Sequence, residues 1–514
     1  MRLRDGQLAA IGFGIMEILT TGEMEQADRL AMAGGASGFA LMLRAGQAVA
    51  NTAADLAEEG PILVVAGCGN NGGDGFVAAT ELAARGYNVS VILMCERNSL
   101  KDDAALAAKG WKGPVLPCDL STLGSPALII DALFGAGLNR PVKGDARAMI
   151  EAIIANGAPV LSIDLPSGIN GTTGAIMGAA IRATETVTFF RKKPAHLLLP
   201  GRILCGRVHV ADIGFTDAVL DKICPITFEN IPDYWRSVFP VPHIDGHKYA
   251  RGHAVVVSGN LTSTGAARMS ARSALRMGAG LVSVLSPDDA LGTNAAALTA
   301  VMVRRMNDAA GFADILTDRR INACVIGPGA GIGEETRALV TTAIAARRAL
   351  VLDADALTSF ADAPDRLFET IKQTGSADII LTPHEGEFRR LFSEMSNKHP
   401  LRSKLERVRA AAERSGAVVL LKGPDTVVAS PDGRATIAAN APPWLATAGS
   451  GDILSGMIGG LLAQSVPAFE AACMGVWMHG ETGHEAGPGL IAEDLPEVLP
   501  AVLRRLYDRF GVDY

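Results

Sequence analysis

Ile62-Leu-Val-Val-Ala66 runs directly into Gly67-Cys-Gly-Asn-Asn-Gly-Gly-Asp-Gly75, and an Ala-rich segment with helical spacing follows from Ala78 to Ala84. Five consecutive apolar residues without alternation predict a short strand buried on both faces, as in a parallel sheet. The glycines predict a tight strand-to-helix turn whose backbone N–H groups and helix N-terminus can meet a phosphate. The two Asn and the Asp add side chains for ribose hydroxyls or a cation. The run is neither G-x-G-x-x-G nor a Walker loop, so neither of those mechanisms follows from it.

Outward from this point the rhythm repeats. Apolar runs recur at Val89-Ser-Val-Ile-Leu93, Ala127-Leu-Ile-Ile130, Val160-Leu-Ser-Ile163 and Val187-Thr-Phe-Phe190, with a helical segment from Ala146 to Ala155. This first series spans about Glu23 to Phe215. Between Pro225 and Tyr249 it lapses: prolines 225, 232, 240 and 242, with Tyr234 and Trp235, predict an irregular connection with a few packed anchors. It restarts at Ala254–Val257, Leu281–Leu285, Cys324–Ile326, Leu350–Leu352, Ile379–Leu381 and Val418–Leu421. Pro431-Asp-Gly433, between Val427-Val428 and Thr436-Ile437, predicts a hairpin. Long Ala/Gly-rich helices finish the chain. The expectation is an α/β protein of two domains, 1–225 and 226–514, the first a Rossmann-like doubly wound sheet.

Composition agrees. The 514 residues exceed what one core sustains, and 48% apolar against 20% charged residues supports large buried cores. The 57 glycines lie above the usual ~7%, while aromatics are only 5%. A formal charge of −7 without a Lys/Arg block argues against a nucleic-acid partner. Seven scattered cysteines with no C-x-x-C pair predict free thiols in a reducing, cytoplasmic compartment. No stretch reaches the ~18 apolar residues of a membrane span, so no membrane partner is expected. Met1-Arg-Leu-Arg and the apolar Leu8–Met16 imitate a signal peptide, but Asp5 and Glu17 flank them without a cleavage site. A disordered start, or a start codon placed too early, is the expectation there.

Two further strand ends carry chemistry. Ile129-Ile-Asp131-Ala-Leu-Phe-Gly135-Ala-Gly137 puts an aspartate at a strand's carboxyl edge, and Ser162-Ile-Asp164-Leu-Pro-Ser-Gly168 repeats the arrangement. Doubly wound sheets bind ligands beyond these ends, so Asn70, Asn71, Asp131 and Asp164 are expected around one crevice. A single strand-end Asp is as often a helix cap; three such ends favour a site. Hard oxygen donors suit an alkali or alkaline-earth cation, and a desolvated Asp164 suits acid/base work. Arg191-Lys-Lys193 is too short for nucleic acid and reads as a solvated edge or a ligand-phosphate contact.

In the second half, Thr447-Ala-Gly-Ser-Gly-Asp-Ile453 opens a helix whose exposed N–H groups make an anion hole, with Asp452 placed to take a proton from a hydroxyl. Leu421-Lys-Gly-Pro-Asp-Thr426 offers a cation, a glycine and a hydroxyl to nucleotide phosphates. Leu381-Thr-Pro-His384-Glu-Gly-Glu387, Val325-Ile-Gly-Pro-Gly-Ala-Gly331 and Leu352-Asp353-Ala-Asp355 end three more strands with carboxylates or glycine loops. This set resembles the ribokinase-like superfamily, in which His384-Glu-Gly-Glu387 takes the place of the common Asn-x-x-Glu; the resemblance makes Glu387 a candidate for organising Mg²⁺.

The first half resembles the NAD(P)H-hydrate epimerase domain through Asn70–Gly75, Asp131–Leu138 and Asp164–Gly168, with Lys193-Pro-Ala-His-Leu-Leu198 and Asp212-Ile-Gly214 behind them. That resemblance implies a cofactor hydrate over Asn70, Asn71, Gly72, Gly73 and Asp74 and over Gly135, Ala136, Gly137, Leu138, Asn139, Arg140 and Pro141. It implies K⁺ at Asn71, Asp131 and Ser167, and Asp164 at the hydrated ring. The second half resembles the ribokinase-like superfamily, most closely its ADP-dependent NAD(P)H-hydrate dehydratase branch. Here the resemblance runs through His247–Gly252, Gly265-Ala266, Gly278–Gly280, Gly327–Gly331, Thr382–Glu387 and Leu445–Asp452. It implies hydrate contacts at Ala266, Gly329, Gly331, His384 and Asp452. Adenine-nucleotide contacts are implied at Lys422, Gly423, Pro424, Asp425, Thr426 and Gly451.

The resemblance therefore implies a bifunctional isomerase and lyase for NADHX and NADPHX, forms hydroxylated at C6 of the nicotinamide ring. K⁺ would serve the first domain, and Mg²⁺ with ADP or ATP the second; ADP preference and homo-oligomer formation are implied by resemblance alone. Two rivals stand against this reading: a vitamin or sugar kinase, and a nucleotide-binding or scaffold module without activity. Ala195, in place of the usual glycine, and Asn440-Ala-Pro-Pro-Trp444, in place of a glycine-bearing approach, depart from the family pattern.

Overall fold

The computed structural model describes residues 16–375, 378–397 and 403–512. The signal-like stretch before Met16 lies outside the described residues. The chain separates into two compact units, Glu17–Thr227 and the unit that begins at Phe228.

The first unit holds seven strands, β1 (Ile62–Ala66), β2 (Val89–Leu93), β3 (Val115–Leu116), β4 (Leu128–Ala132), β5 (Val160–Ile163), β6 (Glu185–Phe189) and β7 (Arg207–Ala211). Their order is β3-β2-β1-β4-β5-β6-β7, and every pairing is parallel. The order reverses between β1 and β4, which register Ile62 opposite Leu128. The unbroken apolar run of β1 is explained by its two faces. Val64 and Ala66 pack with Phe76, Ala79 and Leu82 of the helix Asn70–Ala84. Leu63 and Val65 pack with Met149, Ile150 and Ile153 of the helix Gly144–Asn156. A strand covered on both sides has no polar face to alternate with.

The second unit is built on β8 (Thr227–Glu229), β9 (His253–Val257), β10 (Leu281–Ser286), β11 (Met302–Arg305), β12 (Ile321–Ile326), β13 (Ala349–Leu352), β14 (Ile379–Leu381), β15 (Val418–Leu421), β16 (Val427–Ala429) and β17 (Ala435–Ile437). The sheet order is β11-β10-β9-β12-β13-β14-β15-β16-β17-β8. It is parallel from β11 to β15 and closes with the antiparallel hairpin predicted at Pro431–Gly433. Its order also reverses once, between β9 and β12. Trp235 is fully buried, with Phe239, Trp477 and Phe510 around it.

Four expectations are corrected. The glycine turn is only Gly67-Cys68-Gly69, because the helix already begins at Asn70. Asp131 lies within β4 and not at its edge. The connection after Pro225 contains β8 and a helical turn at Pro232–Trp235. Strands β3, β7 and β11 carry no apolar run; each stands at a sheet edge and is partly exposed, so burial never selected one. Among the described residues no helix is long and apolar enough to cross a membrane. All seven cysteines are free thiols.

Candidate active sites

A cavity of about 830 Å³ opens at the switch point of the first unit, beyond the carboxyl ends of β1 and β4. Asn70, Asn71, Asp74, Asp164 and the run from Gly135 to Arg140 line it. Gly72 and Gly73 are buried beneath them, and Pro141 lies outside the wall. Gly135 allows the close approach here: a Cβ on it would sit 2.9 Å from Asn71 Oδ1 and 3.0 Å from Asp164 Oδ2.

Asp164 follows β5 in the left-handed region, at φ +66°. One carboxylate oxygen accepts hydrogen bonds from Lys193 Nζ at 2.7 Å and Thr188 Oγ1 at 3.0 Å; the other accepts from the backbone N–H of Ala136 at 2.8 Å. Burial pushes this carboxyl up, but the Lys193 ammonium, together with the hydrogen bonds from Lys193 and the Ala136 N–H, outweighs burial and holds it below the usual carboxylate range. His196 braces the pair: Nδ1 accepts from the Lys193 N–H, leaving Nε2–H to donate to the Asp164 carbonyl at 2.9 Å. Burial, then the Lys193 charge, lower His196 to about 4, so its imidazole is neutral.

Asp131 does not line the cavity. It lies beneath it, fully buried, and takes hydrogen bonds from Ser162 Oγ, Ser167 Oγ and the Ser167 N–H. Ser167 Oγ in turn accepts from the Phe134 N–H, which ties the loop after β4 to the loop after β5. No cationic side chain pairs with Asp131 among the described residues, and Asn71 Nδ2 is buried without a partner. A buried carboxylate lacking a countercharge, beside the Ser162 and Ser167 hydroxyl oxygens, fits an alkali cation.

The second unit repeats the logic. The loops after β9 and β12 meet at its switch point, where a Cβ on Gly329 would lie 3.5 Å from the Ala266 methyl. The helix Ser450–Ala463 follows Gly449, whose φ is +84°. In its first turn stands Asp452, and the Asp452 carbonyl accepts from Ser270 Oγ at 2.6 Å. Lys422, at the end of β15, bonds Asp353 at 2.7 Å, and Ser455 Oγ takes the other Asp353 oxygen at 2.6 Å. Burial, then the nearby Asp353 charge, push Asp452 up to about 6 against the pull of Lys422. Gly451 completes this cluster, since a Cβ there would stand 3.5 Å from Lys422 Nζ. The Gly331 N–H donates to Asp355 at 2.9 Å.

Other residues of this centre are tied locally. His384 caps the helix Glu385–Leu391 through Nδ1, while Glu387 reaches back to the His384 N–H at 2.9 Å. The Thr426 hydroxyl is folded onto Gly423, and Asp425 pairs with Lys404 at 2.8 Å. Among the described residues no group of three or more His, Cys, Asp or Glu side chains is arranged to hold a metal.

A family profile described as "NAD(P)H-hydrate dehydratase" matches residues 254–499, and one described as "YjeF-related protein N-terminus" matches 38–195. A bifunctional NAD(P)H-hydrate repair enzyme of Salinibacter ruber is 35% identical over 96% of this chain and 97% of its own length. Its counterpart in Escherichia coli is 32% identical, over 94% and 92%. The chain belongs to the bifunctional NAD(P)H-hydrate repair enzyme family. A crystal structure of the ADP/ATP-dependent NAD(P)H-hydrate dehydratase from Bacillus subtilis aligns at 25% identity and a TM-score of 0.45, covering 54% of this chain and 98% of that one.

Within this repair enzyme family member, three features escape a reading by strand ends. Lys193 is not a solvated edge: its side chain is 1% exposed, and the lysine is bound to Asp164. Its neighbour Arg191 pairs with Glu17 and lies over the Phe190 ring. The third feature is a whole cavity wall, made by Thr21, Met24, Asp28 and Met32 of one helix and Leu41, Met42 and Ala45 of the next. Its signal in the sequence is the stripe Thr21, Met24, Asp28, Met32, a helical face with one carboxylate in it.

Proposed function

We propose that the cavity of the first unit epimerises R and S NAD(P)HX, and that the cluster around Asp452 dehydrates the S form with an adenine nucleotide. On this reading residues 1–225 form the epimerase domain and residues 226–514 the dehydratase domain. The observation that carries it is Asp164: a carboxylate kept ionised by a buried lysine, on the wall of a dinucleotide-sized cavity at the switch point.

In the first site Asp164 moves a proton at the C6 hydroxyl while the Ala136 N–H fixes its direction. Asn71, Asp131 and Ser167 would hold K⁺, which supplies the charge that keeps the loops after β4 and β5 together. In the second site the C6 hydroxyl of the S epimer gives its proton to Asp452 as its oxygen takes a phosphoryl group from the nucleotide. The N–H groups of Gly449–Gly451 stabilise the developing charge. Loss of phosphate, with a proton from C5, restores the ring double bond. Lys422 to Thr426 face the nucleotide phosphates, with which Mg²⁺ would arrive. We assign the reaction to the cytoplasm, in keeping with the scattered free thiols.

Absorbance at 340 nm follows the recovery of NADH. With S NADHX, ADP or ATP, Mg²⁺ and K⁺, wild-type protein restores the signal; absence of recovery rejects the dehydratase. Asp164→Asn leaves S conversion intact and returns R conversion to its spontaneous rate, whereas Asp452→Ala abolishes both.

A further inference from the structure

Asp28 sits on the cavity wall supplied by the helix Thr21–Ala33, together with Thr21, Met24, Glu25 and Met32. That wall is firmly placed. Thr20 and Glu23 form a reciprocal capping box at the helix N-terminus. The Thr21 hydroxyl meets the Thr172 hydroxyl at 3.0 Å, which anchors the helix to the loop after β5.

The carboxylates lining this cavity, Glu25, Asp28, Asp74, Asp103 and Asp164, are not equivalent. Asp164 has both oxygens engaged by three donors, one of them the only buried lysine of the wall. Among the described residues no hydrogen bond or ion pair occupies Asp28, so its carboxyl can meet a ligand. The charges that face it are Glu25 and Arg29 on its own helix and Lys193 and Asp164 from the strand ends; Asp74 lies within their reach.

The chemistry calls for a second group. The C6 hydroxyl of the hydrate sits on carbon bonded to the ring nitrogen. Inversion follows when the nitrogen lone pair forms a C6=N1 iminium and the C6–O bond breaks. The departing oxygen needs a proton to leave as water. A second water then adds at C6 from the other face and must lose a proton. A carboxylate held ionised by a lysine can take that proton, but it is a poor source of the first one.

We propose that Asp28 is the general acid of the epimerase centre and works with Asp164 as the base. Asp28 protonates the departing C6 oxygen, Asp164 deprotonates the incoming water, and exchange with solvent returns the proton from Asp164 to Asp28. The inference rests on the epimerase reading of this cavity. Burial, then the like charges of Asp164 and Glu25 against Lys193, push Asp28 up to about 6, so it carries and regains a proton near neutral pH. Asp74 is pushed well above the carboxylate range by burial and by Asp164 and Asp28. Burial thus favours its neutral form.

The test uses full-length protein with R NADHX, ADP, Mg²⁺ and K⁺. Epimerisation is made limiting by added Asp28-intact, Asp164→Asn protein as the dehydratase, with S NADHX as the control substrate. Asp28→Asn lowers epimerisation on the order of 10²–10⁴-fold. It leaves S conversion and the thermal midpoint unchanged, and Asp28→Glu recovers part of the rate. The wild-type rate also falls as rising pH ionises Asp28, and that falling limb disappears in Asp28→Asn. An Asp28→Asn protein within threefold of wild type, while Asp164→Asn sits at the spontaneous rate, overturns the acid role and leaves the site reading standing. Loss of rate with no recovery in Asp28→Glu and the falling limb retained overturns it too, in favour of a positioning role. Full R conversion by Asp164→Asn alone would sink the site reading and the Asp28 proposal together.

Discussion

Asp164 holds its backbone at φ +66°, a conformation that Asp and Asn tolerate better than other side chains with a Cβ. Asp164→Asn is therefore the cleaner variant, because alanine adds backbone strain to the loss of the carboxylate. Its partner Lys193 is a stability determinant as well as a charge source. Lys193→Met strips a buried carboxylate of its cation and is expected to cost about 3–5 kcal/mol in urea unfolding of the first unit. The sign follows from the lowered Asp164 value. The stabilisation is present above the ordinary carboxylate range and fades as the pH falls through the depressed folded value. The difference between wild type and Lys193→Met should therefore shrink in acid. Asp452 behaves oppositely. As a base with its proton affinity raised to about 6, it should give dehydratase activity that rises with pH through that value. Asp353→Asn removes a like charge and moves the limb lower, which a pH–rate profile on S NADHX at saturating nucleotide measures. The places of Asp164 and Asp452 in the fold were legible, because one follows the apolar run Val160–Ile163 and the other follows the glycine turn that opens the helix Ser450–Ala463. Lys193 was not, since nothing in Arg191-Lys-Lys193 tells which of three cations turns inward.

The glycines at the switch point set how closely elements approach. A Cβ on Gly72 would fall 2.0 Å from the Gly67 carbonyl oxygen, backbone against backbone, so the start of the helix Asn70–Ala84 cannot pack with alanine there. Gly72→Ala should destabilise the first unit by about 3 kcal/mol or more in denaturant unfolding. Gly135→Ala meets only side-chain ends, those of Asn71 and Asp164. It should spare the thermal midpoint yet lower epimerisation on the order of 10²-fold by displacing them. The element pattern was readable wherever a strand is covered on both faces, as in β1, β4, β9 and β12. It failed at the edges, where Arg207–Ala211 and Met302–Arg305 keep polar residues exposed to water. The helix Thr21–Ala33 was missed for a different reason: it contributes to a cavity wall, and no motif marks a wall. The departure at Asn440–Trp444 proves to be a pinned lip. Asn440 Nδ2 donates to the Trp477 carbonyl at 2.9 Å and Trp444 Nε1 to the Gly483 carbonyl at 2.6 Å. Side-chain anchors take the place that a flexible glycine holds in the family pattern.

At the scale of the whole molecule, the two proposed chemistries are complementary because a dehydratase confined to the S epimer strands the R form. If the epimer travels through solution, mixing Asp164→Asn with Asp452→Ala protein restores R NADHX conversion that neither supports enzymatically alone. Recovery at 340 nm in the mixture, against each variant by itself, checks it; a mixture no faster than the Asp164→Asn protein alone contradicts free exchange. The two-sheet division was legible from the lapse after Pro225, whereas the strand order was not, since periodicity does not say which neighbour a strand takes. That order has a consequence for how the protein is made. Every pairing in the first sheet is parallel, and Ile62 of the central strand waits for Val89 on one side and Leu128 on the other. A chain emerging from the ribosome cannot close this sheet with hairpins, and Asp164 leaves the exit tunnel before the lysine that neutralises it. Synthesis interrupted between β5 and Lys193 would leave a buried-type carboxylate and several apolar strands uncovered, a nascent species for holdase chaperones to shelter.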